Sequence, residues 1–195
     1  MPVARGKKLK SKAWFTLLAP EYLGSKPLGI TPASDAKYVI GRVVESSVMN
    51  LTDDYNKYYM KFKFRVDKVD GQNAHTVFYG MECLQDYISR LVRRRTKRID
   101  TIQDVKTKDG VTLRVKTIMI TNKTIKSSVV KVLRNFVKKV VEEEVSKATI
   151  SQVVEKILKD VIKRRILEEG SKIYPIRHFE IRRIDVLSLP TKHAE

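Results

Sequence analysis

The stretch LVRRRTKRID (91–100) holds the residues of this sequence best suited to chemistry. Five of the six positions 93–98 are basic: Arg93, Arg94, Arg95, Lys97 and Arg98, with Thr96 among them. A planar guanidinium presents paired N–H donors that match two phosphate oxygens, so the run is suited to phosphate binding rather than proton transfer. Like charges this close repel one another, and Asp100 is the one acid within a few residues downstream. The charge therefore calls for an external anion. Lesser groups repeat the theme. Lys61, Lys63 and Arg65 alternate along one extended stretch, Arg90 precedes the main run, and Arg177 and Arg182 lie on the last extended segment. Arg5, Lys7, Lys8, Lys10 and Lys12 crowd residues 1–12 without an acid. Together these are the candidate phosphate-binding residues.

Covalent chemistry finds no comparable pattern. His75, His178 and His193 are scattered, Cys83 stands alone, and no spacing matches a zinc site. There is no Gly-x4-Gly-Lys loop and no Gly-rich dinucleotide turn. The pair Asp53-Asp54 sits in LTDDYN and reads as a solvated turn. Trp14 and Phe15 have faces on which bases stack, yet an aromatic pair opening a strand reads first as core. Lys131, Arg134 and Lys138 lie opposite an apolar stripe, as on any solvated helix. No catalysis, cofactor or metal is expected.

Composition points the same way. Forty Lys and Arg face twenty-two Asp and Glu in 195 residues, a net charge of +18. An excess of this size fits nucleic acid first and an anionic membrane surface second. Hydrophobic residues make up 42%, enough for a packed core. No apolar run approaches the roughly 18–20 residues of a membrane span, and no membrane partner is expected. The basic start has no apolar segment behind it, so no secretory signal is read there. A single cysteine suits a reducing compartment.

The elements that must position these residues follow from period. Residues 13–19 read as a strand, 20–37 as an irregular Pro- and Gly-bearing loop, and 38–48 as a strand with Gly41 as a bulge. From 58 to 69 Met60, Phe62, Phe64 and Val66 alternate with Lys61, Lys63 and Arg65, a half-buried strand with a basic wet face. Asp70-Gly71 turns it back into a strand over 74–80. Leu84, Tyr87, Ile88, Leu91 and Val92 then recur at helical spacing. That helix is expected to end near Arg95, or to let the Arg95 stem lie along the core edge. Strands over 99–107 and 111–121 join through Lys108-Asp109-Gly110. Two helices follow. The first sets Val129, Val132, Leu133, Phe136, Val137, Val140 and Val141 on one apolar face. The second, capped by Thr149 and Gln152, runs to Gly170 as its stop. Residues 176–186 return to strand. The expected class is α+β: a mostly antiparallel sheet, or a barrel, with one central helix and two C-terminal helices packed at one side. A basic arm (1–12) precedes one domain (13–187), and a loose tail (188–195) follows.

Four blocks carry a family resemblance. KAWFTLLAPEYLG (12–24), IGRVVESSVMNLTDD (40–54), LVRRRTKRIDTIQDVKTKDG (91–110) and KIYPIRHFEIRRIDVL (172–187) fall in order along the chain. They resemble the eukaryotic- and archaeal-type small-subunit ribosomal protein family called S-three-a, or eS-one. The length matches the archaeal type. The opening departs from the family's pattern in having one basic residue fewer before Trp14 and Phe15 where Tyr is common. Asp54 adds an acid. The resemblance implies a structural, non-enzymatic component of the small ribosomal subunit in the cytoplasm. It implies a seat on the platform near the messenger RNA exit, against small-subunit ribosomal RNA, neighbouring ribosomal proteins and the exiting messenger RNA. The residues alone leave a second reading open, a free-standing RNA- or DNA-binding regulator.

Overall fold

The alternation of β4 (Met60–Asp70) and β5 (Asn73–Cys83) builds the centre of the structure, a computed structural model that describes residues 11–188. The two strands form an antiparallel hairpin closed by Gly71, whose φ of +60° suits a residue without a side chain. Phe62, Phe64 and Phe78 project to one face and meet edge to face, with Phe62 and Phe78 ring centres 5.4 Å apart. β8 (Ile176–Ser188) pairs with the far end of β5, β7 (Thr112–Thr121) with β8, and β6 (Arg98–Lys106) with β7. On the other flank β1 (Ala13–Leu18) pairs in parallel with residues 73–75 of β5. The remaining pairings are antiparallel, and the eight-stranded sheet is open. The expected α+β class holds, and the barrel alternative does not: among the described residues β3 (Val43–Ser47) bonds only to β4, and β6 only to β7.

Gly80 lets β8 in. A Cβ there would lie 2.6 Å from the carbonyl oxygen of Ile184, which is backbone and cannot swing away. Gly80→Ala is expected to cost roughly 2–3 kcal/mol, lowering the melting temperature by roughly 5–10 °C. A thermal melt of the variant checks it, and an unchanged transition would mean that the two strands separate freely there.

Residues 20–37 are not an irregular loop. β2 (Pro27–Ala33) pairs antiparallel with β1. Its prolines are tolerated because β2 is an edge strand, with no ladder partner on its outer side. The next strand is shorter than its sequence suggests. Residues 36–38 form a 3-10 turn, and Gly41, at φ +84°, lies in the turn before β3 rather than in a bulge. Arg42 holds that turn by donating to the carbonyls of Tyr38 and Pro32 and to the Thr31 hydroxyl. A short helix, α1 (Val48–Thr52), follows β3 directly.

Among the described residues the helices after α2 (Gln85–Leu91) number three, not two. α3 (Ser127–Ser146) lies against the inner face of β6, where Gln103 donates to the carbonyl of Lys138. The predicted second helix is split into α4 (Ile150–Leu158) and α5 (Val161–Gly170). The capping box of Thr149 and Gln152 starts α4 as expected. The break is made from far along the chain. Buried Lys57 donates to the carbonyl of Leu158 and to the Asp160 carboxylate (2.9 Å), and Asp160 takes φ +54°. Gly170 is no left-handed stop. It is the last residue of α5, and close packing explains the missing side chain: a Cβ would meet Ile176 at 2.5 Å and Phe136 at 3.2 Å. The main core lies between the helices and the sheet, and a smaller one under β1 and β2 holds Phe15, Leu17, Val39 and Val66.

Candidate nucleic-acid interface

α2 stops at Leu91, and Val92 turns the chain into extended geometry. The predicted continuation to Arg95 does not form. Arg95 takes φ +65° in a tight turn, in which Thr96 donates through its N–H (3.4 Å) and its hydroxyl (2.6 Å) to the carbonyl of Arg93. The basic run is therefore a loop held at both ends. Half-buried Leu91 packs on the core before it, and Ile99, 2% exposed, enters β6 after it. Val92 is 38% exposed and anchors nothing. Arg93, Arg94, Arg95 and Lys97 all face solvent, and none forms an ion pair among the described residues. Arg98 differs. Its guanidinium forks onto Asp100 at 3.0–3.2 Å, so its charge is answered within the fold.

Buried Thr121 ties this loop to others. Its N–H donates to the carbonyl of Lys97 at 3.0 Å, and its hydroxyl donates to the carbonyl of Lys123 at 2.7 Å with the Lys97 carbonyl 3.3 Å away. The N–H of Asn122 donates to the carbonyl of Pro175. Residues 92–97, 122–126 and 171–175 thus meet at one end of the sheet, where exposed Arg177 opens β8. The side chain of His178 registers the gathered charge. Burial first, then Arg177, Lys163 and Arg93, hold its proton affinity below the ordinary histidine value. Exposed Lys123 belongs to this cluster and was not singled out by local sequence pattern. Its place depends on Thr121.

The wet face of the sheet is different in kind. Lys63 sits between Glu45 (3.1 Å) and Glu82 (2.8 Å). Glu82 also faces Arg183 at 3.8 Å, Arg183 binds Asp185 at 2.7 Å, and Asp185 binds Lys116 at 3.2 Å. Arg114 and Asp104 close the far end at 2.8 Å. The result is a row of alternating charge from β3 to β6 that cancels itself. Bonding from Lys63 holds the Glu82 carboxyl below its usual range despite some burial. Bonding from Arg114 does the same for Asp104. Lys63 is thus not a free cation, and the expected basic row of Lys61, Lys63 and Arg65 is interrupted at its centre. Half-buried Lys61 and exposed Arg65 flank it without an ion pair among the described residues. Half-buried Arg182 is the extra residue of a bulge opposite Lys116 and Thr117. Arg90 is exposed on α2, and Lys12 is exposed just before β1. Arg5, Lys7, Lys8 and Lys10 lie outside the described residues.

The sequence model of the Ribosomal S3Ae family matches residues 4–190. The chain belongs to that family. It is 41% identical over 183 residues to the small ribosomal subunit protein eS1 of Archaeoglobus fulgidus, covering 93% of this chain and 87% of that one. The eS1 protein of Methanopyrus kandleri is 39% identical, with coverage of 94% and 89%. That of Sulfurisphaera tokodaii is 38% identical, with coverage of 94% and 95%.

The remaining reactive groups of this S3Ae-family chain serve its structure. Burial pushes the Cys83 thiol up to about 12, and its sulfur lies 3.1 Å from the carbonyl of Ile181. Asp54 accepts from the N–H of Asn56 and does the local work of a turn, whereas Asp53 pairs at 2.6 Å with Lys26 from an earlier segment. The aromatic pair opening β1 divides: Phe15 is core at 6% exposure, whereas Trp14 is 60% exposed.

Proposed function

We propose that this S3Ae-family chain is a structural constituent of the small ribosomal subunit that holds small-subunit ribosomal RNA by neutralising phosphates. The seat inferred for it is the platform near the messenger RNA exit of cytoplasmic ribosomes, beside neighbouring ribosomal proteins and the exiting messenger RNA. The supporting observation is the loop of unanswered cations at 92–97, in a chain whose relatives are named small ribosomal subunit protein eS1. Charged donors on a rigid backbone match the fixed phosphate pattern of a folded RNA without reading its bases. The role is structural, not enzymatic. Within this reading residues 13–187 act as one RNA-binding domain, and the arm of residues 1–12, with Arg5, Lys7, Lys8 and Lys10, adds phosphate pairings once RNA is present.

Sedimentation of a cell extract through sucrose tests this. The chain is expected with the small subunit at low salt and displaced from it as salt rises. A chain found at the top of the gradient at every salt concentration would overturn the assignment and favour a free-standing nucleic-acid-binding regulator.

A further inference from the structure

A second basic surface lies on α3. Residues 110–141 contain no Asp or Glu. Of their cations, Arg114 and Lys116 are answered on the sheet face by Asp104 and Asp185. The other six, Lys123, Lys126, Lys131, Arg134, Lys138 and Lys139, are exposed, and none forms an ion pair among the described residues. An ordinary solvated helix mixes both signs throughout, whereas α3 carries one sign alone until Glu142.

The geometry orders these charges. At about 100° per residue, Lys131, Arg134 and Lys138 fall within about 60° of one another and span roughly 10 Å along the axis. Leu133 and Val140 are buried on the opposite side and Val137 and Val141 along its flank, so the helix cannot roll or enter a membrane with its apolar face. Gln103 fixes it further through the carbonyl of Lys138. Of the acids that follow, Glu143 binds Arg165, and Glu144 binds Arg165 and Lys156, while exposed Glu142 closes the stripe one turn beyond Lys138. At its start the surface joins the basic loop, because Thr121 bonds the backbone of both Lys97 and Lys123. No aromatic side chain lies on the stripe. Phe136 is turned inward beside Gly170, so a platform for unstacked bases is missing.

We propose that Lys131, Arg134 and Lys138 form a second phosphate-binding surface, continuous with the 92–97 loop, that lies along the backbone of a double-helical RNA segment. The inference rests on the RNA-binding reading above and extends it to a helix face with a stated partner.

The test compares three proteins: the wild type, K131Q/R134Q/K138Q, and the conservative K131R/K138R. Affinity for a small-subunit ribosomal RNA transcript, a plain RNA duplex and oligouridine is measured across a salt series. The Gln variant is expected to melt with the wild type, since the altered residues are exposed. Its log–log salt slope on both structured RNAs should be shallower by about 2–3, at roughly 0.7–0.9 for each phosphate left unneutralised. The Arg variant should keep the wild-type slope. An unchanged slope in the Gln variant, beside a reduced one when the 92–97 loop is altered, would overturn this surface and leave the RNA reading standing. A wild-type protein that binds RNA without salt dependence would remove both. A loss confined to oligouridine, or a loss of a partner protein with RNA binding intact, would overturn the duplex assignment.

Discussion

Replacing Arg93, Arg94 and Lys97 by Gln is expected to flatten the salt dependence of small-subunit RNA binding by about 2–3 in log–log slope, with the melting temperature unchanged or slightly raised. The two halves of this result follow from one fact. These side chains face solvent, and no described acid answers them, so in the free protein they contribute only mutual repulsion. Their backbone is nonetheless held, by Leu91 and Ile99 at its ends, by the turn that Thr96 closes on Arg93, and by Thr121 on Lys97. A held array loses less entropy on association than a loose one, so its charge converts efficiently into affinity. Arg98 is left out because its fork is already filled by Asp100. The same substitution at Arg98 should change RNA affinity less than that at Arg93 or Arg94. Titration against salt and a thermal melt decide the matter together. A triple variant that unfolds readily in isolation would show the three cations to be structural and would end the phosphate-loop reading.

Lys163→Met is expected to lower stability by roughly 2–3 kcal/mol, less than a fully buried pair because the lysine is partly exposed. Glu180 has only 5% of its side chain exposed. It accepts from Lys163 on α5 and from the hydroxyl of Tyr87, 3.0 Å away on α2. Burial pushes its carboxyl above the ordinary glutamate range, and Lys163 and Tyr87 pull it back only in part. Without Lys163 the carboxyl rises further. The sign of the pH dependence follows. A carboxyl raised in the folded state holds its proton where the unfolded chain has released it, so the native state binds more protons in that window. Stability then falls as pH rises from the ordinary glutamate value toward the folded one. Lys163→Met should widen that window and steepen the loss toward neutral pH. Denaturant titrations at several pH values measure it. A variant with a cost independent of pH would show that Glu180 does not titrate with folding.

Much of the architecture was legible because its causes are local. Alternation over residues 60–66 set one face of β4 against the other, and Phe62, Phe64 and Val66 are core. Asp70-Gly71 and Asp109-Gly110 marked both hairpins, and Gly71 and Gly110 take the positive φ that such turns require. The cap at Thr149 needs only Gln152, three residues on. Period alone placed the apolar stripe of α3, with the exception of Val132, which is 52% exposed. The density of arginine in 93–98 likewise stands in the sequence, with its shortage of nearby acids. So does the acid-free span of residues 110–141, though a helix stripe read by itself looks like any solvated face.

The rest was decided by partners far along the chain. β2 is a strand because β1 offers it a ladder and its outer edge asks nothing of Pro27 and Pro32. The second C-terminal helix is broken because Lys57, more than a hundred residues earlier, takes the carbonyl of Leu158. Lys63 lost its free charge to the register that sets it between Glu45 and Glu82. The loop at 93–97 gained Lys123 as a neighbour through one buried threonine and Arg177 through the pairing of β7 with β8. Backbone preference and turn chemistry act over a few residues and can be read from them. Whether a cation is spent inside the fold or left for an anion depends on which distant acid the strand register brings within about 4 Å. That register is fixed only when the sheet is assembled.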